Sequence, residues 1–232
     1  NLMNNITSLV LSYSQNKLVV KGFLERLSKF AEFLSNTNIV TDKSFGLDNE
    51  LICDDNSFST RLIYAVNKIE TDYFILFLDD YYLTDYLNEN SIQKCIDSLE
   101  KNKSAIAFKL IFENNFTPGL KRPPIKYGLS LAATIWKRDD FLNLMRKNET
   151  AWHIEILGSI RLWFTGKKIF FPKTNIVQYP PGGVIHKGKV PLHLTEMVSK
   201  EIIEKKGILN SENKPNGFKR RLSLLLKLIL NK

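Results

Sequence analysis

Tyr73-Phe74-Ile75-Leu76-Phe77-Leu78 runs without a break into Asp79 and Asp80. An unbroken apolar run of this length predicts a strand buried on both faces, the kind found inside a parallel sheet. Such a strand needs helices over both faces, which restricts the chain to an α/β architecture. The two carboxylates fall where the strand leaves the sheet, and open α/β sheets bind ligands at the carboxyl ends of their strands. A carboxylate pair there is placed to hold a divalent cation and the phosphates bound to it. The same pair also suits a turn or the cap of a following helix, and on these residues alone both readings stand.

The residues before this run build the same pattern. Ile6 to Tyr13 reads as a first strand ending in the polar loop Ser12 to Asn16, and Leu18 to Leu34 carries the 3.6-residue apolar period of a helix packed on one face. Asn38 to Thr41 and Leu51 to Cys53 read as two short strands, the second ending at Asp54 and Asp55. Ser57 or Ser59 then caps a helix through Arg61, Leu62, Ala65 and Val66. Strands alternate with helices and end in polar or acidic residues, as in a parallel βαβ sheet with a nucleotide-like ligand along one edge. No Gly-x-Gly-x-x-Gly follows the first strand, and Gly-x-x-x-x-Gly-Lys-Ser/Thr is absent. That argues against a dinucleotide-binding oxidoreductase and a P-loop NTPase.

Further on, a helix is expected over Ser91 to Lys101. Strands are expected over Ala105 to Phe112, Leu129 to Trp136, Lys168 to Phe171 and Asn175 to Tyr179. Asp139 or Asp140 caps a short helix, Trp152 to Arg161 is helical, and Leu192 to Lys205 is a helix. Lys121 and Arg122 lie in a proline-rich loop, near a phosphate or simply solvated. The stretch Pro180 to Lys189 is too rich in Gly and Lys to be core.

With 232 residues, 44% hydrophobic and 25% charged, the chain has the make-up of a folded protein of one domain, or one domain and a small appendage. Its net charge of +9 favours an anionic partner, and phosphorylated small molecules, acidic lipid and nucleic acid all qualify. The cations are dispersed except at the tail, and no nucleic-acid-binding motif occurs, so nucleic acid is not the expected partner. Cys53 and Cys95 lack metal-type spacing and fit a reducing cytoplasm. Neither a stretch of roughly 18 apolar residues nor a signal-peptide pattern is present, which predicts an intracellular protein.

Taken in order, these parts are a strand ending in Ser12-Tyr13, the Ser-x-x-Arg-Leu helix of Arg61, Leu78-Asp79-Asp80-Tyr81, and Trp152-x-x-Glu155 followed by Arg161. They resemble bacterial sugar transferases of the GT-A fold, more narrowly the family-2-like enzymes encoded with capsule and lipopolysaccharide genes. The resemblance spans roughly residues 6 to 190. It implies a Rossmann-like, mixed and mainly parallel sheet flanked by helices, and a nucleotide-diphosphate sugar as donor. By position it implies that Ser12 and Tyr13 cradle the base, that Asp54 or Asp55 approaches the base or ribose, and that Arg61 supports them. Asp79 and Asp80 would hold the ribose and a divalent metal, Mn²⁺ or Mg²⁺, with His186 as a further ligand. The motif departs from the family's Asp-x-Asp, since Tyr81 stands at the usual ligand position and Asp80 would have to substitute for it. Glu155 matches the catalytic base of inverting members, with a helix carboxylate paired to Arg161 or a lysine as the alternative. Lys187 and Lys189 would offset the leaving diphosphate, and Trp152 would stack on an acceptor sugar or pack in the core.

The stretch 218–232 carries five cations, eight large apolar residues and no acidic side chain. It predicts an amphipathic C-terminal helix lying on an anionic membrane surface, or else packed on protein. The expected organisation is a GT-A domain over 3–206, a linker over 207–217 and this helix. It describes a cytoplasmic enzyme, peripheral on the inner face of the membrane, that glycosylates a glycan or lipid-linked acceptor. A non-catalytic GT-A-like partner protein and a nucleotidyltransferase are the alternatives. The latter is disfavoured because Ser12 to Lys17 contains no glycine.

Overall fold

The computed structural model describes residues 5–113, 116–125 and 127–209, so the C-terminal helix expected at 218–232 lies outside the described residues. Eight strands form one sheet: β1 (Ile6–Leu11), β2 (Asn38–Thr41), β3 (Glu50–Ile52), β4 (Tyr73–Leu78), β5 (Ala105–Lys109), β6 (Gly119–Lys121), β7 (Thr134–Lys137) and β8 (Lys168–Phe171). Their order is β3-β2-β1-β4-β7-β5-β8-β6. The first four neighbours are mutually parallel. β7 runs antiparallel between β4 and β5, β5 and β8 are parallel, and β6 closes the edge antiparallel. The fold is therefore α/β, Rossmann-like, with a mixed and mainly parallel sheet, as expected.

This order decides where the polar residues go. β1 and β4 pair along their whole length, from Ile6 opposite Tyr73 to Leu11 opposite Leu78. Ser12 and Asp79 therefore leave the sheet side by side. The carboxyl ends of β2 and β5 and the amino end of antiparallel β7 open on the same rim.

The strand Tyr73–Leu78 is buried on both faces, as its composition demands. Tyr73, Ile75 and Phe77 point into one hydrophobic layer, and Phe74 and Leu76 into the other. The first layer is closed by α1 (Lys17–Phe30) and α3 (Glu89–Lys101), through Val19, Val20, Phe23, Ile92 and Ile96. The second is closed by α2 (Phe58–Lys68), α4 (Arg138–Leu144) and a continuous helical run. That run consists of α5 (Ala151–His153), a π-helical turn (Ile154–Gly158) and α6 (Ser159–Thr165). Ser57, one of the two residues proposed to cap α2, does so by accepting from the Thr60 amide.

Several expectations are corrected. The strand expected over Leu129 to Trp136 is only Thr134–Lys137, because the amides of Leu129, Leu131 and Ala133 go to side chains instead of a ladder. Asn175 to Tyr179 is not a strand; the amides of Ile176 and Val177 both go to the carbonyl of Leu110. Neither Asp139 nor Asp140 is the α4 cap, since Lys137 holds that position and both acids lie in the first turn. The helix expected over Leu192 to Lys205 is split into a 3₁₀ segment (Leu192–Met197) and α7 (Lys200–Lys206), with Ser199 capping the latter. Beyond α7, β10 (Ile208–Leu209) pairs in parallel with β9 (Val190–Pro191). The Gly/Lys-rich stretch also reaches the core, where Val184 is fully buried.

One close approach shows how tightly α1 is seated. Gly22 faces the buried ring of Tyr82, whose hydroxyl donates to the Val19 carbonyl at 2.8 Å. A Cβ on Gly22 would stand 2.2 Å from that hydroxyl and 2.7 Å from the ring carbon bearing it. An exposed helical Gly→Ala change gains up to about 1 kcal/mol. Here overpacking outweighs that gain, and Gly22→Ala should destabilise the protein by about 2 kcal/mol in urea unfolding.

Candidate functional site

The rim carries a cleft lined by Leu11, Ser12, Tyr13, Asn16, Phe58, Leu78, Asp79, Asp80 and Ile185. At ≈ 160 Å³ it falls below the roughly 300 Å³ usual for a complete small-molecule site, so it fits one moiety of a larger ligand. Asp79 is buried at its base, where its Oδ2 accepts from Ser12 Oγ at 2.5 Å and from Asn16 Nδ2 at 3.0 Å. Burial pushes the Asp79 carboxyl up, and the bonds from Ser12 and Asn16 and the charge of Lys206 act against it. Lys206 reaches the site from α7, donating to Asn16 Oδ1 at 2.8 Å.

On the first-strand side, Arg61 is fully buried. Its Nη1 donates to the Ser12 carbonyl at 2.6 Å, and its guanidinium stacks 3.6 Å above the Tyr13 ring. The Tyr13 hydroxyl donates to the Asn56 carbonyl. Asp42 holds the amide and hydroxyl of Ser14 and lies 3.9 Å from Arg61. Asp55 accepts from the Ser57 amide at the entry to α2, whereas Asp54 is exposed. Ser12, Tyr13, Arg61, Asp79 and Asp80 thus come together. Asp55 serves the turn that leads to them.

Asp80 is covered by the stretch Pro180 to Lys189. The Val184 amide donates to its carbonyl, and Gly183, at φ +79°, lies so close that a Cβ would stand 2.4 Å from Asp80 Oδ2. Burial first and the Asp79 charge second push the Asp80 carboxyl up to about 7, against the pull of the Ile185 amide. His186 sits over Gly182, and its Nε2 is buried with no hydrogen-bond partner among the described residues. Lys187 and Gly188, both at positive φ, turn the chain between His186 and Lys189, leaving both lysines exposed at the tip. Among the described residues no group of three His, Cys, Asp or Glu side chains is arranged to hold a metal, so Asp79, Asp80 and His186 do not form one.

Glu155 lies on the π turn of the α5–α6 run, a distortion frequent at functional sites. Its Oε1 accepts from the Leu131 amide at 3.1 Å. Arg161 is engaged elsewhere, in a bidentate pair with Glu149 at 2.7 Å for both bonds. Trp152 tilts against His153 and, like Glu155, Lys187 and Lys189, does not line the cleft.

What links Glu155 to the aspartates is the irregular segment Leu129 to Ala133. The Leu129 amide donates to Ser159 Oγ, Leu131 to Glu155, and Ala133 to the Tyr179 hydroxyl. Tyr179 stacks on Tyr81 at 4.3 Å, beside Asp80. Between them, Ser130 Oγ accepts at 2.7 Å from Lys109 Nζ, a buried ammonium that also pairs with Glu113. Burial draws the Lys109 pKa down, and the charges of Glu113 and Glu155 oppose it.

The sequence reading missed Asn16, Asp42, Lys109, Glu113, Ser130, Tyr179, Gly183 and Lys206. Asp42 alone carried a usable signal, as an acid directly after a strand. The rest are brought in from other elements by tertiary packing.

No family model matches the sequence, and no curated protein matches it. Solved structures resemble it remotely. A CMP:2-keto-3-deoxy-manno-octonic acid synthetase complexed with CTP is 13% identical, with a TM-score of 0.48 over 77% of this chain and 94% of that one. A cytidylyltransferase from Leptospira borgpetersenii is 14% identical, with a TM-score of 0.49 over 76% and 82%. S. aureus TarS 1-349 in complex with UDP-GlcNAc is 11% identical, with a TM-score of 0.45 over 73% and 57%. Similarity this remote does not identify an activity.

The paired aspartates give a pH test. Asp80 has a folded pKa of about 7, above its ordinary 3.8, so the fold favours the protonated acid. Its contribution is full below pH 3.8 and is lost as pH rises through 7. Asp80→Asn, neutral throughout, should stabilise the ligand-free protein by about 2 kcal/mol at pH 8, allowing for solvent screening. The gain should be smaller at pH 5, as read by thermal unfolding.

Proposed function

We propose that this chain is a glycosyltransferase that moves a sugar from a nucleotide-diphosphate sugar to a hydroxyl of a glycan or lipid-linked acceptor in surface polysaccharide synthesis. The observation that carries the reading is the pair of aspartates at the end of the central strand, Asp79 buried and Asp80 partly so, on the rim that also holds the segment bonded to Glu155. The cleft at Ser12, Tyr13 and Asp79 has the dimensions of a nucleoside portion, with Arg61 fixing the Tyr13 ring from behind.

A divalent cation fits this donor set in one way. Asp79 Oδ2 already accepts from Ser12 and Asn16, while Asp80 accepts no side-chain hydrogen bond among the described residues. Burial and the adjacent Asp79 charge both disfavour an ionised Asp80, and a cation beside it would offset that cost. With no third protein ligand in place among the described residues, the fitting ion is one carried by phosphates, as Mg²⁺ and Mn²⁺ are. Asp80 would hold it, and it would supply charge for the departing diphosphate.

Glu155 then acts as base. A hydroxyl is a weak nucleophile, and a carboxylate in hydrogen-bonding reach takes its proton as its oxygen bonds to the sugar carbon. The bond from that carbon to the phosphate oxygen breaks, and its electron pair leaves with the nucleoside diphosphate. Attack from the opposite face inverts the carbon, and no sugar–enzyme intermediate forms. The Leu131 amide orients the Glu155 carboxylate, and the Lys109–Ser130 contact keeps the neighbouring residue in place. Lys187 and Lys189 stand on the turn beyond His186, in reach of a phosphate if that turn closes over the donor. The basic stretch 218–232 would bring the enzyme to the membrane where lipid-linked acceptors lie.

The test is a thermal-shift screen of UDP, GDP, CDP and dTDP and their sugars with Mg²⁺ or Mn²⁺, followed by turnover of the donor that binds. Glu155→Gln should retain the donor-induced shift and lose about 10²–10⁴-fold in transfer rate. Donor binding without turnover in the unmodified protein would point to a non-catalytic partner. Release of pyrophosphate from a nucleoside triphosphate would point to a nucleotidyltransferase.

A further inference from the structure

A second cleft opens at the far edge of the sheet, sharing no residue with the first. It is lined by Phe116, Thr117, Lys121, Arg122, Pro124 and Phe171 and measures ≈ 320 Å³, within the range of small-molecule sites. Its lining holds two cations and a hydroxyl but no carboxylate, a combination that favours an anion. Lys121 is exposed on edge strand β6, opposite Ile169, and forms no ion pair among the described residues.

Arg122 is held in place. Its guanidinium stacks 4.1 Å from the Trp163 ring, and its Nη2 donates to the Trp163 carbonyl at 2.8 Å. One edge of the guanidinium is fixed, and its remaining N–H groups, which bond to no other described residue, can meet a planar or tetrahedral oxyanion. The other wall is apolar. Phe116 and Phe171 stack at 4.6 Å, with Lys109 Nζ within 5.1 and 5.6 Å of their rings. Pro124 is pressed onto Gly128, where a Cβ would come within 2.2 Å of the Pro124 carbonyl.

We propose that this cleft binds a phosphate ester, with the phosphate at Lys121 and Arg122 and its organic part on the Phe116–Phe171 wall. The chemistry is that of a sugar phosphate or of a phospholipid headgroup with the start of its chain. Cations supply charge and bidentate hydrogen bonds, while stacked rings cover a sugar face or hydrocarbon. The site stands independently of the aspartate cleft and of the reaction assigned to it.

The experiment uses the full chain in isothermal titration with glucose 1-phosphate, and with glucose as the uncharged control. Cosedimentation is run in parallel with phosphatidylcholine vesicles containing or lacking phosphatidylglycerol. Lys121→Glu and Lys121→Ala should weaken binding at least tenfold and about threefold, with circular dichroism confirming that both fold, and Asp79→Asn should leave it unchanged. Tight binding of glucose 1-phosphate with this pattern supports the proposal and makes the source a soluble ester. Binding only to phosphatidylglycerol vesicles, with the same loss in the Lys121 variants, supports it and makes the source a lipid. Binding that is indifferent to Lys121, or lost in Asp79→Asn, overturns it, as does no binding of either probe.

Discussion

The rim of this protein is arranged around one buried carboxylate. Asp79 sits at the end of a strand that apolar burial forces into the centre of the sheet, and an ionised oxygen there must be hydrogen-bonded or it becomes prohibitively costly. The register of β1 against β4 delivers Ser12 to it at 2.5 Å, and the turn into α1 delivers Asn16. Each helper is held in turn: Arg61 grips the Ser12 carbonyl and Lys206 grips Asn16. The first loop, the α2 helix and the last described helix are thereby tied to a single side chain. Partly satisfied buried networks are costly, so these parts are expected to form together.

Asp80 differs from Asp79 in its hydrogen bonds. Burial and the neighbouring Asp79 charge push the Asp80 carboxyl up to about 7, and no side-chain donor among the described residues opposes them. The fold accepts this cost, and Gly183 lies so close that no larger residue fits over it. Destabilised groups of this kind concentrate at functional sites. Here the cost would be recovered when a positively charged group arrives with a ligand.

The segment Leu129 to Ala133 shows how the second half of the site is positioned. Its amides bond to Ser159, Glu155 and Tyr179, and its one hydroxyl to Lys109. The sequence reads as a strand there because the residues are mostly apolar. In the structure it bends at Leu129, Ala132 and Ala133, and its amide hydrogen bonds go to side chains from α6, the π turn and the loop after β8. The apolar composition is the same in the two cases, so no local pattern distinguishes them. For the same reason Leu192 to Met197 reads as helix by period, while packing settles it as a tighter 3₁₀ segment.

The sequence by itself determined the architecture and the first cleft. An apolar run too long and continuous to be exposed on either face requires a sheet covered on both sides, and strand ends in such a sheet carry the polar residues. Ser12, Tyr13, Arg61, Asp79 and Asp80 are legible for that reason. Tertiary structure alone decided what Arg161, Lys109, Tyr179 and Lys206 do, because their partners are 12 to 190 residues away or are supplied by stacking and backbone amides. It also turned a Gly/Lys-rich stretch that reads as solvated into the cover of Asp80. A glycine records only that the backbone is free to bend or approach closely, and what it approaches is fixed by the whole fold.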